Sequence, residues 1–273
     1  MNVVFAKISR GVAILVATLL FVSCASLSPS GVGRIERYDV AGDVPASFDG
    51  ATVAFVSDIH YPSKFTRKRL AKMVRRLRSL SPDILLLGGD YVTSNECLAE
   101  LFDSLSGVRT TYGTFAVLGN HERSRAHLVD SLAMLYGIRL LNDEAVAVGG
   151  CDTIYIAGVR NSFLVKDTRS PSDAVAEKGF TILVAHTPDY AQDVSALADV
   201  VLSGHTHGGQ VTLFGLYTPV KNTHYGTRFL RGKNYTDGGV PVITTNGVGT
   251  SRRKIRFCVP SEIVLIKLLG KGK

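Results

Sequence analysis

The sequence predicts an α/β fold in which helices cover a mostly parallel β-sheet. Short apolar, β-branched runs alternate with segments whose apolar residues recur at helical spacing, and glycine or polar residues follow each run. Such alternation is typical of parallel sheets with covering helices. Hydrophobic residues make up 45% of the 273 residues and charged residues 20%. This composition supports a packed core and excludes a disordered or collagen-like chain.

The first 24 residues have the layout of a secretory signal. Lys7 and Arg10 precede an apolar run from Gly11 to Val22, and small residues follow it. The run is shorter than the roughly 20 residues that span a membrane comfortably, which favours a signal peptide over an N-terminal anchor. The segment ending at Cys24 also resembles a bacterial lipoprotein processing site, so lipidation of Cys24 is one hypothesis and an unmodified signal or anchor is the other. In each case the rest of the chain is expected on the extracytoplasmic side of a bacterial cell membrane.

Residues 25–37 are rich in Ser, Pro and Gly and are predicted to form a linker. Residues 38–273 contain no internal repeat and no break in composition. They are therefore predicted to form one folded domain.

The first half of this domain contains the strand and helix repeat. Strands are predicted over Thr52–Ser57, Ile84–Leu87 and Thr114–Leu118 because these runs are apolar and β-branched. Between them, apolar residues spaced i, i+3, i+4, i+7 predict helices over Leu70–Leu77 and Leu98–Leu105.

The second half contains further apolar runs that polar residues follow. These runs predict strands over Thr153–Val159, Thr181–Ala185 and Val200–Leu202. Val240–Thr245 and Glu262–Leu269 are predicted as closing strands, and the last is expected in a second sheet.

Polar residues that could bind a metal follow the predicted strands. Five of the seven histidines are among them. The set is Asp58, His60, Asp90, Asn120, His121, His186, His205 and His207. Ligands bind beyond the carboxyl ends of strands in open α/β sheets, so these side chains are expected to lie together. Imidazole and carboxylate suit Mn, Zn or Fe, and this number of candidates suits two divalent metal ions that share a carboxylate.

Cysteine and charge patterns exclude other classes of site. The cysteines are widely spaced and none forms a Cys-x-x-Cys pair, which excludes a disulfide framework and makes a cysteine zinc site improbable, while a single disulfide stays open. The net charge is +8, but the basic residues are dispersed and lack interleaved aromatic residues. No nucleic-acid partner is therefore expected.

The polar blocks resemble those of the calcineurin-like metallophosphoesterase superfamily. Its D-x-H, G-D, G-N-H-[DE], later H and G-H-x-H blocks stand here, in order, as Asp58-x-His60, Gly89-Asp90, Gly119-Asn120-His121-Glu122, His186, and Gly204-His205-Thr206-His207. The longer Ser203–Gln210 segment and the tail from Gly247 to Glu262 resemble a bacterial membrane-associated branch that includes UDP-2,3-diacylglucosamine hydrolases.

The resemblance implies a fold and a role for each polar residue. The implied fold is a sandwich of two β-sheets flanked by helices, an α-β-β-α arrangement. The implied first metal ligands are Asp58, His60 and His207, the second are Asn120, His186 and His205, and Asp90 bridges both metals. His121 is implied to be a catalytic, non-ligand histidine near the scissile phosphate, and Glu122 is expected to orient it or to pair with Arg123 or Arg125.

The expected function is a membrane-associated metallophosphoesterase. A hydroxide activated by two metals would hydrolyse a phosphodiester, phosphomonoester or pyrophosphate, and the substrate could be linked to a lipid. His121 would protonate the leaving group. One alternative is a UDP-2,3-diacylglucosamine pyrophosphohydrolase of lipid A synthesis, whose cytoplasmic substrate disagrees with an export signal. An alternative of another class is a non-catalytic, metal-binding surface lipoprotein.

Overall fold

The computed structural model describes residues 11–12, 31–159, 179–194, 198–213 and 215–271. Within these ranges, no helix is both long and apolar enough to cross a membrane. Cys24, most of the predicted signal and residues 25–30 of the predicted linker lie outside the described residues, so the predictions about secretion and lipidation stay predictions.

In the described part of the chain, twelve strands form two six-stranded sheets. The first sheet has the strand order β1-β12-β2-β3-β4-β5. Its strands are β1 (Arg34–Gly42), β2 (Thr52–Val56), β3 (Ile84–Leu87), β4 (Gly113–Ala116), β5 (Ile138–Leu140) and β12 (Glu262–Gly270). Strands β2 to β5 run parallel, as the strand and helix alternation predicts.

The second sheet has the strand order β10-β11-β9-β8-β7-β6. Its strands are β6 (Glu144–Gly149), β7 (Thr153–Gly158), β8 (Thr181–Val184), β9 (Val200–Ser203), β10 (Gly232–Tyr235) and β11 (Pro241–Thr244). Strands β7, β8, β9 and β11 run parallel, and the outer strands β6 and β10 are antiparallel to their neighbours.

Helices cover the outer face of the first sheet. They are α1 (Arg67–Leu80), α2 (Leu98–Ser106) and α3 (Ala126–Leu135), and a short α4 (Ala191–Val194) follows β8. The apolar residues that predict α1 and α2 are buried in one cluster with outward-facing residues of β2 and β3 such as Ala54 and Leu85. A second cluster fills the space between the sheets, where Phe55 and Leu86 of the first sheet pack with Ile182 of the second. The two-sheet, helix-flanked fold class is therefore confirmed.

The folded domain begins earlier than the sequence predicts. Residues 34–37, which the sequence predicts as part of the linker, are the first part of β1 and pair in parallel with residues 262–265 of β12. Val32, before the strand, is 2% exposed. The predicted linker boundary at residue 37 is therefore wrong. The first residues of β1 include few apolar side chains, so their sequence resembles the Ser-, Pro- and Gly-rich segment before residue 34 more than a buried strand.

The last strand also lies in a different sheet from the expected one. β12 lies in the first sheet, between β1 and β2, and it is antiparallel to β2. Its inward residues Val264 and Ile266 face the second sheet, and Ile263 faces the helices. A strand buried on both faces has the same pattern in either sheet, so its hydrophobicity alone does not assign it.

Candidate metal centre

All eight polar residues singled out in the sequence lie at one end of the two sheets. Asp58 and His60 follow β2, Asp90 follows β3, and Asn120 and His121 follow β4 in the first sheet. The remaining three follow strands of the second sheet, His186 after β8 and both His205 and His207 after β9. The carboxyl ends of five strands therefore supply the cluster.

Asp58, His60 and His207 form the first group of possible metal ligands. Each offers a ligand atom that lies within 4.8 Å of the others. His60 Nε2 is 3.2 Å from His207 Nε2, and His207 Nε2 is 3.3 Å from Asp58 Oδ1. All three side chains are buried. Two imidazole nitrogens that face each other at this distance, next to a carboxylate, suit a bound cation.

Asp90, His186 and His205 form the second group. His186 Nε2 is 3.5 Å from Asp90 Oδ1 and 3.2 Å from His205 Nδ1. Asn120 Oδ1 lies 3.2 Å from the same His186 nitrogen, which brings the amide into this group.

Asp90 lies between the two groups. Its Oδ1 faces His186, and its Oδ2 lies 3.6 Å from His60 Nε2. One carboxylate thus offers one oxygen to each group, which is the arrangement that a bridging ligand requires.

Hydrogen bonds orient the ligand atoms toward the cluster. His186 Nδ1 donates to the carbonyl oxygen of Gly88 at 2.6 Å, so its Nε2 faces Asp90 and Asn120. A backbone acceptor of this kind fixes the tautomer of a metal-binding histidine. The Asp58 carboxylate accepts hydrogen bonds from the backbone N–H of His205 and from the hydroxyl of Ser57.

The backbone at the cluster adopts a conformation that is uncommon outside glycine. Five of the candidate residues have positive φ angles, between 50° and 66°. They are Asp58, His60, Asp90, His205 and His207. A non-glycine residue in this region costs roughly 1–2 kcal/mol and persists only where the surroundings impose it. The chain therefore turns sharply off each strand in order to aim these side chains at one another.

Glycine is required where the loops after β3 and β4 approach each other. Gly89 has a φ of +91°, and a Cβ there would lie 2.4 Å from the backbone nitrogen of Gly119. A Cβ on Gly119 would in turn lie 2.2 Å from Asp90 Oδ1. Side chains at these positions would push Asp90 out of the cluster.

Burial and mutual charge set the protonation of the cluster. Burial lowers the pKa of His60 and of His205 to about 4, and it holds the pKa of His207 well below its usual value. Burial acts in the opposite direction on Asp90, but the charges of His186 and His60 outweigh it and hold the Asp90 pKa below its usual range. Asp90 in turn raises the pKa of His186 to about 10 against the effect of burial.

His121 lies at the open edge of the cluster. Its side chain is 42% exposed, and its Nε2 is 3.8 Å from Asp90 Oδ2. The backbone N–H of His121 donates to Asp90 Oδ1 at 3.0 Å. His121 also falls within a third group of possible ligands with His60 and Asp90, so geometry alone allows either a ligand or a substrate-facing role.

Glu122 does neither of the things that the sequence suggests. Its buried carboxylate accepts hydrogen bonds from the backbone N–H groups of Asp90 (2.8 Å), Tyr91 (3.0 Å) and Gly119 (2.9 Å). Burial, and then the charge of Asp90, raises the pKa of Glu122 to about 7. Glu122 therefore holds the loops after β3 and β4 together instead of pairing with Arg123 or Arg125.

Arg256 is a further residue of this site that the sequence does not single out. Its guanidinium is buried and donates to the carbonyl oxygens of Asn246 (2.5 Å) and Gly249 (2.6 Å). The same Nη2 lies 3.4 Å from His207 Nδ1, and burial lowers the pKa of Arg256 to about 10. A single arginine in an irregular segment carries no periodic signal, so only the three-dimensional structure reveals its place behind His207.

The family model for "Calcineurin-like phosphoesterase" matches residues 51–209, which hold all eight candidate residues. This match covers more than half of the chain. The chain belongs to the calcineurin-like phosphoesterase family. It is therefore a metallophosphoesterase, a hydrolase, as the resemblance of its sequence blocks implies.

Similar proteins agree with this assignment. An "Uncharacterized metallophosphoesterase" of Aquifex aeolicus is 31% identical over 88% of this chain and 93% of its own length. "Phosphodiesterase YaeI" of Escherichia coli is 28% identical over 80% of this chain and 82% of its own length. Three other bacterial relatives are longer, and the matched part of this chain spans 60% to 64% of their length.

A solved structure shares the fold. The crystal structure of TT1561 from Thermus thermophilus superposes with a TM-score of 0.50, over 73% of this chain and 90% of that chain, at 14% sequence identity. At this identity the likeness shows that the two proteins share a fold and nothing finer.

Proposed function

We propose that this calcineurin-like phosphoesterase is a two-metal phosphodiesterase. The position of Asp90 between two groups of ligand atoms carries the proposal. In the proposed centre, Asp58, His60 and His207 would bind one divalent cation, Asn120, His186 and His205 would bind the other, and Asp90 would contribute to both. Imidazole with carboxylate and amide oxygen fits Mn, Zn or Fe.

The residues of the site have different roles in the proposed hydrolysis. Two bound cations would activate a water and hold the phosphoryl oxygens for in-line attack. Asp90 and Asp58 balance the charge of the cations, and Gly88 keeps His186 in the ligating tautomer through its carbonyl. Glu122 and Arg256 fix the backbone of the loops that carry Asp90 and His207.

His121 is proposed to protonate the leaving oxygen of the substrate. Its side chain is exposed while the candidate ligands around it are buried or partly buried, so it can reach a bound phosphodiester. The hydrogen bond from its backbone N–H to Asp90 Oδ1 fixes the backbone of His121 beside the proposed centre.

A phosphodiester substrate is supported by the similarity to the Escherichia coli relative, which is named a phosphodiesterase. The test compares bis(4-nitrophenyl) phosphate with 4-nitrophenyl phosphate, each with added Mn²⁺, Zn²⁺ or Fe²⁺. Turnover of the diester should exceed that of the monoester. Preference for the monoester would overturn the choice of substrate class, and preference for a UDP-diacylglucosamine would favour the lipid A alternative.

Asp90→Asn is the decisive variant for the two-metal centre. It should abolish diester turnover and lower bound metal well below two equivalents in elemental analysis. Asp103→Asn, an exposed carboxylate on α2, is the matched control and should retain both. Metal binding without turnover in the unmodified protein would favour the non-catalytic alternative.

We also propose that the protein is held at the outer side of a bacterial membrane through its N-terminus. The basic residues, apolar run and Cys24 of the first 24 residues support this proposal. Labelled fatty acid should be incorporated into the unmodified protein and not into Cys24→Ser. Absence of label together with retention of residues 1–23 would show an uncleaved anchor instead.

A further inference from the structure

A cleft of about 410 Å³ opens beside the first ligand group. His207 is among the residues that line it, and its sides come from residues 209–211, 219–220, 222, 251–253 and 255. The volume is within the range of roughly 300–1,000 Å³ that small-molecule sites occupy. No step of the proposed hydrolysis uses this cleft.

The side chains along the cleft are apolar and unusually exposed. Val211, Val220 and Ile255 line it, and 39%, 41% and 50% of their surfaces are accessible. Leu213, Leu216 and Tyr217 continue the same segment, at 56%, 88% and 64%. Half of the twelve large apolar side chains that are exposed in the described part of the chain thus lie here. A concentration of exposed apolar side chains in and beside a cleft is typical of a binding site.

Hydrogen bonds hold the two sides of the cleft in place. The Gln210 side chain donates to the carbonyl oxygens of Ser251 and Arg253, and the backbone N–H of Ser251 donates back to Gln210 Oε1. Leu213 and Tyr217 form an antiparallel bridge. The apolar side chains are therefore displayed by a defined backbone.

The edge of the cleft is basic. Arg252 and Arg253 line it, and Lys221 and Lys254 are exposed beside them in the chain. Among the described residues that line the cleft, none is acidic. An apolar groove with a cationic edge is complementary to a molecule that joins a hydrocarbon chain to an anionic group.

We propose that the cleft binds the hydrocarbon chain of an amphiphilic phosphodiester, whose phosphate lies at the metal centre and whose tail contacts Val211, Val220 and Ile255. The proposal rests on the proposed function for the position of the phosphate. It names lipid-like phosphodiesters as the substrate class.

A homologous series of alkyl 4-nitrophenyl phosphates tests the cleft, because the leaving group stays constant from the methyl to the octyl compound. The kcat/KM value should rise with chain length, by up to about fourfold for each methylene that the cleft buries, chiefly through a lower KM. Val220→Glu and Ile255→Glu should each flatten this dependence. Met134→Glu and Leu135→Glu are the controls, because both residues are highly exposed on α3 (74% and 72%) and do not line the cleft.

Three outcomes would overturn the proposal. The first is a kcat/KM that does not change with chain length, and the second is an equal loss of the dependence in the α3 variants. The third is a dimer in solution that Val220→Glu dissociates without any chain-length effect, which would assign the cleft to a second copy of the chain.

Failure of the proposed function would look different. In that case no member of the series, from methyl to octyl, would be hydrolysed with any of the three metals. Equilibrium binding of the same series would then decide about the cleft, because a Kd that falls with chain length supports the hydrocarbon site and a constant Kd rejects it.

Discussion

Asp90 and His186 stabilise each other's charged form. Burial favours the neutral form of both, but their proximity of 3.5 Å and the charges around them keep Asp90 ionised and His186 protonated. His60 and His205, by contrast, are neutral at physiological pH because burial lowers their pKa values to about 4. The metal-free cluster therefore holds a proton on His186 that a cation must displace, and burial also raises the pKa of the Asp58 carboxyl.

Binding of metal to the metal-free protein should release at least one proton between roughly pH 6 and pH 8. His186, with a pKa of about 10, supplies it, while His60 and His205, with pKa values of about 4, have none to release in this range. Calorimetry in buffers of different ionisation enthalpy measures the number. If His60, His186 and His205 instead titrated near pH 6.5, proton release would vanish by pH 8 and would grow steeply as the pH falls below 6.5. That result would contradict the assignment of the released proton to His186.

His121→Ala should lower turnover without removing metal. General acid catalysis contributes about 10²–10⁴-fold, so the loss should be large for alkoxide leaving groups and small for 4-nitrophenolate, which needs no proton. His127→Ala, an exposed histidine on α3, is the matched control. Loss of bound metal in His121→Ala would instead make His121 a ligand, as its grouping with His60 and Asp90 allows.

Single residues of the site differ in how well the sequence predicts them. The candidate ligands and His121 stand directly after apolar strands, and the structure brings all eight together. Glu122 and Arg256 act on backbone atoms of distant segments, up to 49 residues away in the case of Arg256 and His207. Such contacts depend on how loops approach in space, which strand periodicity does not encode.

At the level of elements, helices and central strands are well predicted and the edges of the sheets are not. The i, i+3, i+4, i+7 pattern of α1 matches its buried residues Leu70, Met73, Val74 and Leu77. β1 has mostly exposed and half-buried residues, β10 buries none of its four residues, and β5 is only three residues long. Edge strands bury fewer side chains, so their sequences carry less hydrophobic signal than those of central strands.

The N-terminal boundary can be tested with two shortened chains. A chain that starts at residue 38 loses Val32 and the pairing of residues 34–37 with β12, whereas one that starts at residue 31 keeps both. Burial of Val32 alone stabilises by about 1.5–3 kcal/mol. The shorter chain should therefore unfold at a temperature roughly 5–10 °C lower in calorimetry. Equal unfolding temperatures would show that β1 begins no earlier than the linker boundary predicted from the sequence.

At the scale of the whole molecule, each group of ligand atoms draws on both sheets. Asp58, His60 and Asp90 come from the first sheet, and His186, His205 and His207 come from the second. The apolar cluster between the two sheets packs them together and so brings these strand ends close to one another. A cation in either group would therefore also link the two halves of the sandwich.

Removal of metal should for this reason destabilise the entire fold and not only the loops around the site. A ligand present at about one hundred times its Kd stabilises the native state by about 2.7 kcal/mol, which corresponds to roughly 5–10 °C in unfolding temperature for a domain of this size. A chelator should lower the calorimetric unfolding temperature by about this amount, and excess Mn²⁺ should restore it. Asp90→Asn should unfold at a temperature that the chelator barely changes, while Asp103→Asn should respond as the unmodified protein does. A chelator effect on turnover with no change in unfolding temperature would mean that the sheets are held together by their apolar contacts alone, and that the cations serve chemistry without linking the two halves.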